Sequence, residues 1–149
     1  MELSKYPYQH LTCKYMPGET KLSKLIKGIA PKLNEGEYVF VSVPDLSGIE
    51  RSHTICVFRE TEGVSLVMER KRADELKLKY EFAASWITLG VHSSLEAVGL
   101  TAMVSDVLAR NRISCNVIAA YYHDHLFVAK ADASKAMKVL SELSKKQAG

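Results

Sequence analysis

Hydrophobic and polar positions change period several times along this chain, and each change predicts an element. Leu22, Leu25, Ile26 and Ile29 recur at the i, i+3, i+4, i+7 spacing of an amphipathic helix, with Thr20 placed to cap it and Pro31 to end it near Ala30. After an Asn34-Glu-Gly36 turn, Tyr38 to Val43 is a β-rich run stopped by Pro44. Pro44 to His53 is polar and reads as a loop. Thr54 to Phe58 and Val64 to Met68 flank Glu60-Thr-Glu-Gly63 and predict a hairpin, in which Gly63 supplies a positive φ. A short charged helix is expected around Arg72 to Leu78. Within the irregular first 19 residues, Leu11 to Tyr15 alternates weakly and reads as an edge strand.

The second half is more regular. Trp86 to Leu89 is a strand, Gly90 to Val98 a loop, and Leu100, Met103, Val104, Val107 and Leu108 make one apolar stripe with Ser105, Asp106 and Arg110 opposite. Asn111 suits the left-handed position that ends such a helix. Strands Cys115 to Ala120 and Leu126 to Ala129 flank a turn through Tyr122-His-Asp-His125. Asp132 is placed to cap a last helix with the stripe Ala133, Ala136, Met137, Leu140 and Leu143. Residues 86–147 thus read β-α-β-β-α, and residues 38–91 read β-loop-β-β-α-β, with a loop where a first helix would be. This pattern predicts an α+β protein of two ferredoxin-like units in tandem, with antiparallel sheets and helices on one face. The units are placed at 20–80, after an irregular extension over 1–19, and at 84–147. So short a junction predicts one shared core, with Tyr80, Phe82 and Trp86 partly buried in it.

Composition narrows the function more than the fold. The chain has 149 residues, 47% hydrophobic and 25% charged, enough to bury a core without disulfides or metals. Lys and Arg number 20 against 17 Asp and Glu, and no basic block stands out; the densest cluster, Glu69-Arg-Lys-Arg72 with Asp74 and Glu75, mixes both signs. Nucleic acid is therefore not an expected partner. No apolar run approaches the ~20 residues that span a bilayer, and residues 1–10 lack a basic-then-apolar leader, so neither membrane nor export is expected. Cys13, Cys56 and Cys115 are odd in number and unpaired in spacing, which fits reduced thiols in a cytoplasmic protein. Nucleotide-binding glycine motifs, the H-E-x-x-H zinc motif and the G-x-S-x-G elbow are all absent, and no cofactor is expected.

Trp86-Ile-Thr-Leu89, followed by the run from Val98 through Arg112-Ile113-Ser114 to Ala119, resembles the ACT domain. In that family a glycine-bearing loop opens the first helix, and a glycine-isoleucine-serine step leads to the second strand. Here Arg112 stands at the usual glycine, which places the burden of the turn on Asn111. From about Leu22 to Leu143 the chain is similar to a bacterial family of small tandem ACT proteins, through Gly36-Glu-Tyr-Val-Phe40, Phe58 to Gly63, His92 to Ala102 and Tyr122 to Val128. The resemblance implies two ACT domains packed together, often as a dimer, that bind an amino acid or similar effector at a domain interface. Many ACT domains control an attached enzyme, and no attached enzyme domain is expected beside these two.

Three groups of residues carry candidate chemistry. In ACT domains the loop matching His92-Ser93-Ser94-Leu95-Glu96-Ala97-Val98-Gly99 receives the effector. The N–H groups and dipole of a helix start attract a carboxylate, Gly99 permits close approach, and Glu96 can face an ammonium group. The same residues also read as a capping box, Ser93 to Glu96, that needs no ligand. Second, His123, Asp124 and His125, with His92 nearby, are metal-ligand types, but in a tight turn Asp124 bonds its own backbone more often than a metal. Third, Arg59 beside Glu60 and Glu62 can grip a carboxylate or simply form a solvated pair. Asn116 points either toward the effector loop or toward its neighbours. The expectation is a non-catalytic regulatory protein, a homodimer that binds an amino-acid-like molecule through His92, Ser93, Ser94, Glu96, Val98, Gly99, Asn116, His123 and His125. Its rivals are a structural pairing module without ligand and a metal-dependent enzyme using His92, His123 and His125.

Overall fold

The computed structural model describes residues 17–146, and the strand expected over Leu11 to Tyr15 lies outside them. In chain order the elements are α1 (Leu22–Lys27), β1 (Pro31–Leu33), β2 (Tyr38–Val43), β3 (Thr54–Glu60), β4 (Gly63–Glu69), α2 (Arg70–Glu75), β5 (Ala83–Leu89), α3 (Leu100–Arg110), β6 (Cys115–Ala119), β7 (Asp124–Ala129) and α4 (Ala133–Lys146). Single 3-10 turns occupy Arg51–His53 and Lys130–Asp132.

All seven strands join one antiparallel sheet in the order β3-β4-β2-β5-β7-β6, with β1 also on β5. The shared strand β5 unites the halves. One of its edges carries β7, from Ala84↔Ala129 to Thr88↔His125. Its other edge is divided between β2, at Ala83 and Ala84, and β1, at Ile87 to Leu89. The N-terminal half is therefore β3-β4-β2-β5 and the C-terminal half β1-β5-β7-β6, so β5 ends one unit and begins the next. The fourth strand of the C-terminal half comes from the N-terminal end of the chain.

Alternation decides what each face holds, because successive strand residues point to opposite sides. Ile87 and Leu89 of β5 face the helices and pack with Leu25 and Ile26 of α1, Leu100, Val104 and Leu108 of α3, and Ala136 and Leu140 of α4. The helix-bearing face of the N-terminal half gathers Val39, Val41, Val43, Leu66 and Met68 beneath Ala73 of α2, with Leu46 and Ile49 of the 44–53 loop partly covering it. The opposite face is aromatic. Tyr38 meets Trp86 edge-to-face with centroids 5.2 Å apart, and Phe40 meets Phe127 at 5.3 Å. Full burial of a ring such as Phe127 contributes on the order of 2–3 kcal/mol. As expected of a shared core, Tyr80, Phe82 and Trp86 are partly buried, Tyr80 against the N-terminal core and the other two in the aromatic layer.

Three helix ends differ from the sequence expectation. Glu19, not Thr20, holds the start of α1: its Oε1 accepts from the N–H groups of Thr20 at 3.0 Å and Lys21 at 2.9 Å. The charged helix runs over Arg70–Glu75 rather than to Leu78, because Lys77 turns left-handed at φ 55°. At the end of α3 the left-handed residue is Arg112, at φ 58°, while Asn111 stays at φ −90°. The N–H of Ile113 reaches back to the Leu108 carbonyl at 3.0 Å, closing the helix as a glycine would. Asn111 assists through its side chain, whose Nδ2 donates to the Val107 carbonyl at 2.8 Å.

Candidate functional site

The loop after β5 is held from outside rather than from within. The segment Pro17–Glu19 runs parallel to His92–Ser94: the Glu19 N–H donates to the His92 carbonyl, and the Ser94 N–H donates to the Glu19 carbonyl, both at 3.0 Å. Gly18 permits this approach, since a Cβ there would lie 2.4 Å from the Ser94 nitrogen. Between segment and loop lies a pocket of about 220 Å³ lined by Pro17, Gly18, His92, Ser93, Ser94, Leu95, Glu96 and Tyr121. The His92 ring leans on Tyr122 at 4.9 Å, which sets one wall.

Behind Ser93 sits Asp124, only 6% exposed. Asp124 is not a turn residue bonded to its own backbone, as its neighbours suggested; it is the first residue of β7, paired with Ala119. Ser93 Oγ donates to Asp124 Oδ2 across a long 3.5 Å. Burial pushes the Asp124 carboxyl above its ordinary value, and the Ser93 bond and the neighbouring His125 and His123 only partly oppose this. His123 Nδ1 donates to the Val91 carbonyl at 3.1 Å, which pins the turn to the base of the loop.

His125 lies on the other side of the sheet. Trp86 Nε1 donates to its Nδ1 at 3.0 Å, and the Thr88 hydroxyl sits 3.1 Å from the same nitrogen. Indole nitrogen is only a donor, so Nδ1 must accept and the ring's proton resides on Nε2. Burial, then His123, holds its pKa below the usual histidine value, against a smaller pull from Asp124.

Of the residues singled out by sequence, the structure brings His92, Ser93, Ser94 and Glu96 around one pocket. Val98 lies beyond it, 83% exposed, and Gly99 starts α3 at φ 101° with Leu22 packed 3.1 Å from where its Cβ would be. Asn116 is exposed on β6 opposite Phe127, on the face of His125 and away from the pocket. His92, His123 and His125 do not converge, and among the described residues no three His, Cys, Asp or Glu side chains could hold a metal ion. The capping box is also not formed. The helix begins four residues after Glu96, no side chain caps it, and the Glu96 N–H is taken by Ser94 Oγ at 3.2 Å. Sequence reasoning missed Asp124 as a buried carboxylate, together with Pro17, Gly18 and Tyr121. The one available signal was the Pro17-Gly18 pair, which marks a special backbone but not its partner.

Residues 17–85 match one ACT-domain family and residues 81–142 match a second, overlapping in the strand the two halves share. No curated protein sequence matches the chain. Among solved structures, a protein of unknown function from Vibrio cholerae, described as a possible transport protein, is 45% identical, with a TM-score of 0.75 over 83% of this chain and 95% of its own. The regulatory subunit of aspartate kinase from Thermus thermophilus is 10% identical, with a TM-score of 0.53 over 76% of this chain and 95% of its own. E. coli aspartokinase III, solved with aspartate and ADP, is 15% identical, with a TM-score of 0.57 over 76% of this chain and 33% of its own. These two likenesses concern the fold.

Proposed function

This chain belongs to the ACT-domain family, with two units in tandem, and from that premise we propose that it is a non-catalytic regulatory protein binding a small amino-acid-like effector between Pro17–Gly18 and His92–Glu96. ACT domains often serve regulatory proteins as amino-acid sensors. The observation that carries the reading is the pocket itself, backed by a buried carboxylate whose side-chain donor among the described residues is a distant hydroxyl. Glu96 on the pocket wall supplies negative charge for an ammonium group, with the Asp124 carboxyl behind Ser93.

The test is a thermal-shift screen of the twenty amino acids, beginning with aspartate because a structural neighbour was solved with it. A ligand at 100 times its Kd adds about 2.7 kcal/mol. Gly18→Val, which forces the Pro17–Glu19 segment off the loop, is expected to abolish that gain. Absence of any shift with all twenty, together with unmoved Ser93 and Ser94 amide resonances, would sink the reading.

A second reading, a pairing module, draws on Leu95 at 69%, Val98 at 83% and Tyr121 at 53% exposure beside the pocket. Apolar side chains clustered in this way mark contact surfaces. In a homodimer the two readings merge, with the second copy roofing the pocket. Sedimentation with and without amino acid separates them: a dimer indifferent to every amino acid favours the module alone.

A further inference from the structure

The N-terminal half carries a second opening on the same face of the sheet. Loop 44–53 stands where the C-terminal half has α3, and it leaves the outer part of the β3–β4 hairpin uncovered. The result is a cleft of about 380 Å³ lined by Leu46, Arg51, Thr54, Val57, Arg59 and Val64. Register places its strand residues: Arg59 pairs with Val64 and Val57 with Leu66, and Val64 and Leu66 face the helix-side core. Arg51 enters from the other wall, on a 3-10 turn pinned by the Thr54 hydroxyl, which donates to the Arg51 carbonyl at 2.7 Å.

We propose that this cleft binds a small amphiphilic anion, with a carboxylate or phosphate held by Arg51 and Arg59 and a short apolar body laid on Leu46, Val57 and Val64. Arg70, Arg72 and Arg110 each hold a carboxylate, whereas Arg51 and Arg59 hold none among the described residues. The acids next to them in the chain are engaged elsewhere: Glu50 with His53 at 3.6 Å, and Glu60 with the Ser65 hydroxyl. Two arginines in one cleft lining that holds no acidic side chain suit a carboxylate or phosphate, which a guanidinium fork can bind with two hydrogen bonds. An open apolar floor in water calls for an apolar cover, and the volume falls in the range of small-molecule sites. The inference is independent of the pocket at His92–Glu96.

Amide resonances of the full chain, followed during titration with hexanoate, hexyl phosphate, hexanol and inorganic phosphate, test it. At least one of the two hexyl anions is expected to bind about tenfold or more tighter than both hexanol and inorganic phosphate, a margin of the size that one charged hydrogen-bonded group supplies. The largest shifts should fall at Leu46, Val57 and Arg59. Whichever anion binds tighter identifies the headgroup. R51Q and R59Q should each weaken that anion about tenfold while leaving hexanol unchanged, and R59K should recover part of the loss because it restores charge without the fork. Equal binding of hexanol and both hexyl anions, shifts confined to Ser93–Glu96, or undiminished binding by the R51Q/R59Q double variant would overturn the proposal.

Discussion

α3 and loop 44–53 occupy equivalent places in the two halves, yet they do opposite things to the sheet beneath them. The helix seals its half by burying Leu100, Val104 and Leu108. The loop covers its half only in part, with Leu46 and Ile49, and leaves Val57 and Arg59 in the open. A repeated unit can thus keep one topology while dividing its labour. The sealed half presents the His92–Glu96 loop ahead of its helix, and the open half presents strand side chains directly to solvent.

Truncation should expose that difference most strongly. Leu108→Ala is expected to cost about 3–4 kcal/mol, since Leu108 is wholly buried and its cavity cannot collapse. Leu46→Ala should cost about 1 kcal/mol or less, because the loop is already partly solvated. Urea denaturation of both variants checks the pair, and equal losses would mean that the loop seals its half as well as the helix does.

Backbone substitutions come next. Gly99→Val combines a left-handed φ of 101° with a 3.1 Å approach to Leu22, so about 2–3 kcal/mol should be lost along with any change in ligand response. Gly48→Ala in the loop also meets a positive φ, of 76°, but in open space, and about 1 kcal/mol is expected. Arg112→Gly should work in the other direction. Relief of the φ of 58°, less the extra freedom of the unfolded chain, leaves a gain of about 0.5–1 kcal/mol in thermal or urea unfolding.

The smallest effects concern pH. The folded state raises the Asp124 pKa, so its contribution is fully present below the unfolded aspartate value near 4 and is lost as pH rises through the folded value. Asp124→Asn should therefore stabilise at neutral pH and lose that advantage on acidification. His125 behaves oppositely. Its folded pKa is lowered, so its contribution is present above about 6.5 and lost as pH falls through the folded value. Trp86→Phe leaves His125 Nδ1 without its indole donor and should raise the pKa seen in an NMR titration of that ring.

Periodicity made much of the fold legible. Tyr38 to Val43 is the strand the run predicts, and Leu100 to Leu108 is the helix, because in each the burial pattern repeats at the spacing of the element itself. The site was legible only as a loop. His92, Ser93, Ser94 and Glu96 do share a pocket, but nothing near them in the chain announces Gly18 or Asp124, which lie 75 and 31 residues from Ser93. His125 shows the limit of local reading. Its neighbours suggested a cluster of imidazoles, yet alternation along β7 sends it to the aromatic face with Trp86, while Asp124 turns to the other side.

By itself the sequence determined the α+β class, the tandem repeat, the absence of a first helix in the N-terminal half and the apolar faces, since all of these rest on contacts between near neighbours or on the period of burial. The tertiary structure alone decided that β5 serves both halves, that β1 completes the C-terminal sheet, that Pro17–Glu19 holds the His92–Ser94 loop, and that Arg51 and Arg59 line one cleft. Each of these joins segments far apart in the chain through backbone hydrogen bonds or shared burial. A backbone N–H carries no side-chain signature, so which segment answers which is settled only when the whole sheet assembles.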